Sequence, residues 1–186
     1  YVGVLISLFI IKSGIEMLKD TLDDILGKRA DKETVKQIKA ILTSEEPVRG
    51  AYDLILNDYG PNKSIGSVHL ELPDTMTVEE LDVLTRKLQN RVYKETGILL
   101  AGVGVYSHNT KNDEAADIRN KVLHIVKTHE WALQMHGFYV DQQERTMRFD
   151  VVMSFAIDPE EGVATLTKEI GDAFPEYSVH IAPDVD

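Results

Sequence analysis

One order of elements, helix, strand, strand, helix and strand, occurs twice along this chain of 186 residues, and this repeat limits the fold more than any other feature. The first copy is predicted from hydrophobic periodicity as a helix at 31–43, strands at 50–58, 64–72 and 98–108, and a second helix between the last two strands. The second copy has a helix at 113–128, strands at 131–141 and 146–157, a helix from 159 to 173 and a strand at 177–182. Internal duplication explains this length better than one large domain.

Local signals in the first copy support the predicted elements. Thr77 followed by Glu80 is a capping box that predicts a helix start, and Gly97 predicts the end of that helix. In strand 64–72, apolar residues alternate with polar ones, so one strand face is apolar and the other carries His69. Each unit therefore buries one sheet face under two helices and leaves the other face open, which predicts oligomerisation or packing between the repeats.

An apolar segment precedes the repeats. The run at 2–11 has no polar side face except Ser7 and is followed by an amphipathic, charged segment. We interpret it as the cut-off end of a transmembrane helix, since a complete span needs roughly 20 apolar residues. A secretory signal and a buried amphipathic core helix are the alternatives. The fold class predicted is α+β, with two tandem ferredoxin-like (αββαβ) domains after the end of a transmembrane helix: membrane end and exit at 1–30, first domain at 31–108, second at 113–186.

Charge and composition restrict the function. The chain has 31 acidic and 20 basic residues, a net charge of −11, and no cysteine. Nucleic acid is not expected as a partner, because phosphate binding needs clustered Lys and Arg. Without cysteine, any metal chemistry must use His and carboxylates. No glycine-rich phosphate loop and no Ser/His/Asp order stands out, so an enzyme is not expected.

Two strings, SLFIIKSGIEMLKDTLDDILGKRAD and VRGAYDLILNDYGPNKSIGSVHLELPDTMTVEELDVL, resemble the C-terminal half of the cation diffusion facilitator family over residues 1 to 108. The second string is similar to the family's cytoplasmic domain, with its Gly-x-His-Asp-Leu, Gly-Pro and His-Leu-Glu motifs. The resemblance implies an integral cell-membrane antiporter that exports a divalent metal in exchange for protons. Zinc is the first expectation, and manganese, iron or cobalt are alternatives. Lys28 and Arg29 fit the positive-inside rule, which puts the soluble part in the cytoplasm.

The resemblance also implies a homodimer and a cytoplasmic metal site. The family's site draws its ligands from four positions. In this chain the first falls on Tyr52, the second on His69 and the third on Asp82. The fourth falls near Tyr106, and His108 lies on the same strand face. In the second repeat, which ordinary family members lack, His180 takes the position of Tyr106, that of His69 falls on Ser154, and His136 lies one position from that of Tyr52. The predicted metal ligands are therefore His69, Asp82, His108 and His180. Solvent-exposed or interface histidines without metal are the alternative, and a site shared between the repeats is permitted.

The function predicted is that of a C-terminal fragment of a divalent metal cation efflux transporter, a cation/proton antiporter whose soluble part acts in dimerisation and metal sensing. One alternative is a membrane-anchored, metal-free interaction or small-molecule sensor module. Another is a soluble regulatory domain whose first helix is part of the core.

Overall fold

The structure is a computed structural model that describes residues 1–26, 32–59 and 63–184. Within these residues the elements follow the duplicated order that the sequence predicts. Their bounds are α1 Val2–Leu26, α2 Lys32–Leu42, β1 Gly50–Asp58, β2 Ser64–Pro73, α3 Val78–Thr96, β3 Leu99–His108, α4 Glu114–Val126, β4 Ala132–Asp141, β5 Thr146–Met153, α5 Pro159–Ala173 and β6 Ser178–Asp184.

Each repeat forms one three-stranded sheet, with order β1-β2-β3 in the first unit and β4-β5-β6 in the second. The first two strands of each sheet form an antiparallel hairpin. The third strand returns through a helix and pairs in parallel with the second. This is the αββαβ arrangement of a ferredoxin-like unit, so the predicted α+β fold class is confirmed.

The helix starts form where the sequence predicts them. Thr77 and Glu80 make a reciprocal capping box, and Gly97 ends the same helix in the left-handed conformation at φ 73°. Asp158 caps α5, whose first residue is Pro159. The predicted strand 146–157 is wrong at its end, because β5 stops at Met153. Polar side chains that follow it bond to nearby backbone N–H groups and compete with the strand ladder.

Each unit has its own hydrophobic core between its sheet and its two helices. The alternating side chains of β2 and β5 enter these cores, and fully buried leucines and isoleucines from the helices face them. The other face of each sheet lies away from its own helices, and there the two units meet. Tyr52 of β1 stacks on His136 of β4, and Tyr106 of β3 donates a hydrogen bond to Asp150 of β5. Packing between the repeats is therefore confirmed.

The first helix carries exposed apolar side chains along residues 2–11. A helix with the length and apolar character needed to span a membrane does not occur among the described residues. The basic pair Lys28 and Arg29, on which the predicted cytoplasmic orientation depends, lies outside the described residues.

Candidate metal centre between the two units

The two hairpins have the same irregularity, and it fixes how the repeats correspond. Tyr52 pairs with His69 in the first hairpin, and His136 pairs with Asp150 in the second. A register shift follows each pair, and the next residue has a positive φ, 53° at Asp53 and 63° at the corresponding glycine. His136 therefore corresponds to Tyr52 and Asp150 to His69.

A group of possible metal ligands lies where these bulges face each other. Nε2 of His136 is 3.1 Å from Oδ1 of Asp53 and 3.9 Å from Oδ2 of Asp150. One ligand atom from each of these residues lies within 4.8 Å of the others. A carboxylate oxygen of Asp184, on β6, is 3.6 Å from the same nitrogen. Ligand atoms around a zinc ion lie roughly 3.3–3.5 Å apart, so this spacing is close to that of a metal site.

Two of the carboxylates in this group share the single proton of the Tyr106 hydroxyl. The hydroxyl of Tyr106 lies 2.6 Å from Oδ2 of Asp53 and 3.0 Å from Oδ2 of Asp150. A phenol has a single proton, so it can donate fully to only one of these carboxylates. Since two or more carboxylates share the space around His136, a cation there would offset their mutual repulsion.

The environment also shifts the pKa of the groups that surround the centre. Burial alone would raise the pKa of Asp53, but hydrogen bonds from Tyr106 and His136 outweigh it and lower that pKa. Burial raises the pKa of Tyr106, and its contacts with the two carboxylates raise it further. The phenol therefore stays protonated, and Asp53 stays ionised and available as a metal ligand.

His136 is held in a fixed orientation. Its ring stacks on Tyr52 with centroids 4.6 Å apart and planes 4° apart. The residue is only 3% exposed, and its Nδ1 has no hydrogen-bond partner among the described residues. Nε2 of His136 is the nitrogen that faces the carboxylates. Tyr52, on which the ring stacks, is itself held by a hydrogen bond. Burial, followed by the charge of Glu71, raises the pKa of Tyr52 to about 12, so its neutral hydroxyl donates to Glu71 at 3.2 Å.

Among the predicted ligands, His69 lies beside this centre. Its Nδ1 is 2.9 Å from Oδ2 of Asp53, but the ring N–H does not point along that line, so the contact is not a well-formed hydrogen bond. The ring stacks on Tyr106 at 4.6 Å and lies over Gly104, where an added Cβ would overlap it. His69 and His136 therefore contact the same carboxylate. Nδ1 of His69 lies near Oδ2 of Asp53, and Nε2 of His136 lies near Oδ1.

The other predicted ligands lie in different surroundings. Nδ1 of His108 is 3.4 Å from a carboxylate oxygen of Glu71. Asp82 accepts two hydrogen bonds of 2.9 Å from the guanidinium of Arg86 on the same exposed helix face. His180 is exposed and lies 3.3 Å from the hydroxyl of Ser178. The structure therefore brings His69 to the centre and leaves Asp82 and His180 out of the group of converging ligand atoms.

The strand pairing also corrects the correspondence between the repeats. Glu71 pairs with Tyr106, and Val152 with Asp184, so Asp184 rather than His180 corresponds to Tyr106. Likewise Asp150, and not Ser154, corresponds to His69. The assignments of Ser154 and His180 are therefore wrong, because the paired residues are 17 positions apart in the first hairpin (52 and 69) and 14 apart in the second (136 and 150).

Three ligand candidates, Asp53, His136 and Asp150, were not predicted from the sequence. A signal for Asp53 was present, because it occupies the Asp of the Gly-x-His-Asp-Leu motif. His136 lies one residue before a glycine at the bulge, and alignment of the two bulges would have assigned it to the Tyr52 position. Asp150 has no motif and follows only from strand register.

Comparison with known proteins agrees with the sequence resemblance. Residues 30–100 match the family model described as the cytoplasmic domain of cation efflux proteins. No curated protein matches the chain. Variants of MamM CTD are similar in structure: a copper form at 15% identity and a nickel form at 16% identity, each with a TM-score of 0.36. The matches cover 43% of this chain and 98% of the copper form, and 44% of this chain and 100% of the nickel form. The first unit of the chain therefore matches the cytoplasmic domain of the cation efflux (cation diffusion facilitator) proteins.

Proposed function

We propose that this chain is part of a divalent metal cation efflux transporter, a cation/proton antiporter, and that its two soluble units sense the metal by binding it between them. The observation that supports this most directly is the convergence of Asp53, His136 and Asp150 at the contact between the units. The first ligand comes from the first unit and the other two come from the second. A bound ion would therefore stabilise the contact itself.

The same geometry suggests how binding changes the conformation. Without metal, Tyr106 and His136 bridge the carboxylates of Asp53 and Asp150. A divalent cation that takes an imidazole nitrogen and carboxylate oxygens removes the repulsion and favours the closed contact. The ion then shifts the population of the units toward the compact arrangement by its differential affinity for that state.

The donor set is consistent with several metals. One imidazole and carboxylate oxygens suit zinc as well as manganese, iron or cobalt, and water would complete the coordination. Cation efflux is the function that the matching family model names. We take zinc as the first metal to test, because His and Asp are both common zinc ligands.

The membrane part of the proposal concerns α1. Large apolar side chains at residues 2–11 are exposed in the structure, and a bilayer would cover them. We propose that this helix enters the membrane and that the soluble units lie in the cytoplasm. A homodimer remains part of the proposal, but the described sheet faces at the centre are already covered by the second unit. A second chain would therefore dock on another surface, such as that of α1.

A cleft of about 210 Å³ between the units is the observation that favours the alternative, a metal-free small-molecule sensor. It is lined on one side by Glu71 and Tyr106 and on the other by Arg119, His136 and Phe138. A bound organic molecule would use the aromatic and apolar residues of this cleft and would not need the carboxylates of Asp53 and Asp150.

Crystals of the chain soaked with zinc would test the proposal, with diffraction recorded on both sides of the zinc absorption edge. We expect an anomalous peak between Nε2 of His136 and the carboxylates of Asp53 and Asp150. Crystals of Asp150→Asn serve as the control and should show a much weaker peak. A peak only at the exposed Asp82 or His180, or no peak at all, would contradict the proposal and favour the sensor alternative.

A further inference from the structure

We propose that the contact between the two described units holds one metal ion, not two, because the repeats have diverged so that one of two related positions keeps its ligands and the other has lost them. This inference rests on the proposed function of the centre. Two related units that face each other can form the same metal position in two ways. The second position arises when the units exchange the residues that each one contributes to the first. The strand register allows the second position to be inspected residue by residue.

The related position has lost most of its ligand atoms. The strand pairs at the two bulges show which residues correspond. At the second position, Tyr52 replaces His136, Gly137 replaces Asp53 and His69 replaces Asp150. Glycine offers no side chain. The hydroxyl of Tyr52 donates a hydrogen bond to Glu71, so it is a poor ligand. Of these three described residues, His69 is the one that could bind a metal, and one imidazole does not make a site.

Packing prevents the missing carboxylate from being restored. A Cβ at Gly137 would lie 3.0 Å from the ring of Tyr106 and 3.1 Å from Oδ2 of Asp150. The φ of Gly137 is 63°, close to the 53° that the corresponding Asp53 adopts, so these contacts, and not the backbone conformation, oppose a side chain there. Tyr106 and Asp150 fill the space beside Gly137, and both belong to the metal centre. The complete centre therefore leaves no room for a side chain at Gly137, which is the position that corresponds to Asp53.

The two units therefore have different roles in binding. The first unit provides the carboxylate of Asp53 and the supporting hydroxyl of Tyr106, and the second provides His136 and Asp150. Both sets belong to one chain, so binding does not require a second copy. The contact between the described units of one chain therefore holds one ion, both in a monomer and in each chain of a larger assembly.

Native mass spectrometry of the whole chain with zinc would test this count. The acidic surface binds cations weakly, so the quantity compared is the number of ions held by the wild type minus the number held by His136→Ala. We expect a difference of one ion per chain. His69→Ala should bind zinc more weakly but still reach one ion at saturation.

Each other outcome has a distinct meaning. Two ions in the wild type, with one lost in His69→Ala, would overturn the inference and leave the proposed metal site intact. No difference between the wild type and His136→Ala would overturn the proposed site and, with it, the count. Melting curves of the metal-free variants check that each one is folded.

Discussion

Tyr52 and His136 occupy corresponding positions in the two repeats and stack on each other, with ring centroids 4.6 Å apart and planes 4° apart. The contact lies where the two related units meet. One ring is a phenol that donates to Glu71, and the other is an imidazole whose Nε2 faces carboxylates. The pair shows both the symmetry of the duplication and the difference in chemistry that has developed across it.

Gly104 and Gly102 lie two residues apart on β3 and offer a matched test of the position of His69. A Cβ at Gly104 would overlap the imidazole of His69, whereas one at Gly102 would make an ordinary 3.5 Å contact with Ser67. We expect Gly104→Ala to lower the free energy of unfolding by about 1–3 kcal/mol, and Gly102→Ala to have a much smaller effect. Chemical denaturation measures both. Equal losses in the two variants would show that His69 is not held against Gly104.

Removal of the Tyr106 hydroxyl tests the balance of protons at the centre. Its bond to Asp53 is 2.6 Å long, and a hydrogen bond to a charged group contributes about 1.5–3 kcal/mol. Tyr106→Phe should therefore destabilise the metal-free protein by about that amount, and zinc should stabilise the variant at least as much as it stabilises the wild type. Thermal melting with and without zinc measures this, and Tyr139→Phe, which alters an exposed tyrosine, is the control. A loss of zinc binding in Tyr106→Phe would mean that the phenol is itself a ligand.

Asp53 predicts how stability depends on pH. Its pKa is lower in the folded protein than in an unfolded chain, since hydrogen bonds from Tyr106 and His136 outweigh burial. Its contribution is complete above the unfolded pKa of about 3.9 and is lost as the pH falls through the folded pKa. Asp53→Asn should therefore be less stable than the wild type at neutral pH, and the difference should shrink in acid. Unfolding curves in the presence of a chelator measure it, and a difference that grows in acid would contradict the assignment.

Most of the fold could be predicted from the sequence because the signals are local. Alternation along β2, the capping box at Thr77 and Glu80, and Gly97 at the end of α3 each depend on residues a few positions apart. The repeated order of elements then gave two α+β units, and the open sheet faces predicted that the units or copies pack together.

The candidate site was harder to predict because it depends on register across distant segments. The two hairpins differ in length between their paired residues, so the sequence analysis assigned Ser154 and His180 to positions that strand register gives to Asp150 and Asp184. His69 was found from its motif and its strand face. Asp82 was also assigned by motif, but Arg86 four residues later is a local signal that its carboxylate is already paired on the helix surface.

Calorimetric titration of zinc into the whole chain tests the central claim most directly, with His136→Ala, His136→Gln and His180→Ala compared under the same conditions. We expect saturable binding in the wild type and in His180→Ala, because the His180 imidazole is exposed and outside the group of ligand atoms. Both His136 variants should lose at least about tenfold in affinity, since even the partners of a ligand contribute roughly 10–100-fold. Unchanged affinity in folded His136→Ala and His136→Gln, or loss of binding in His180→Ala alone, would contradict a metal centre between the two units.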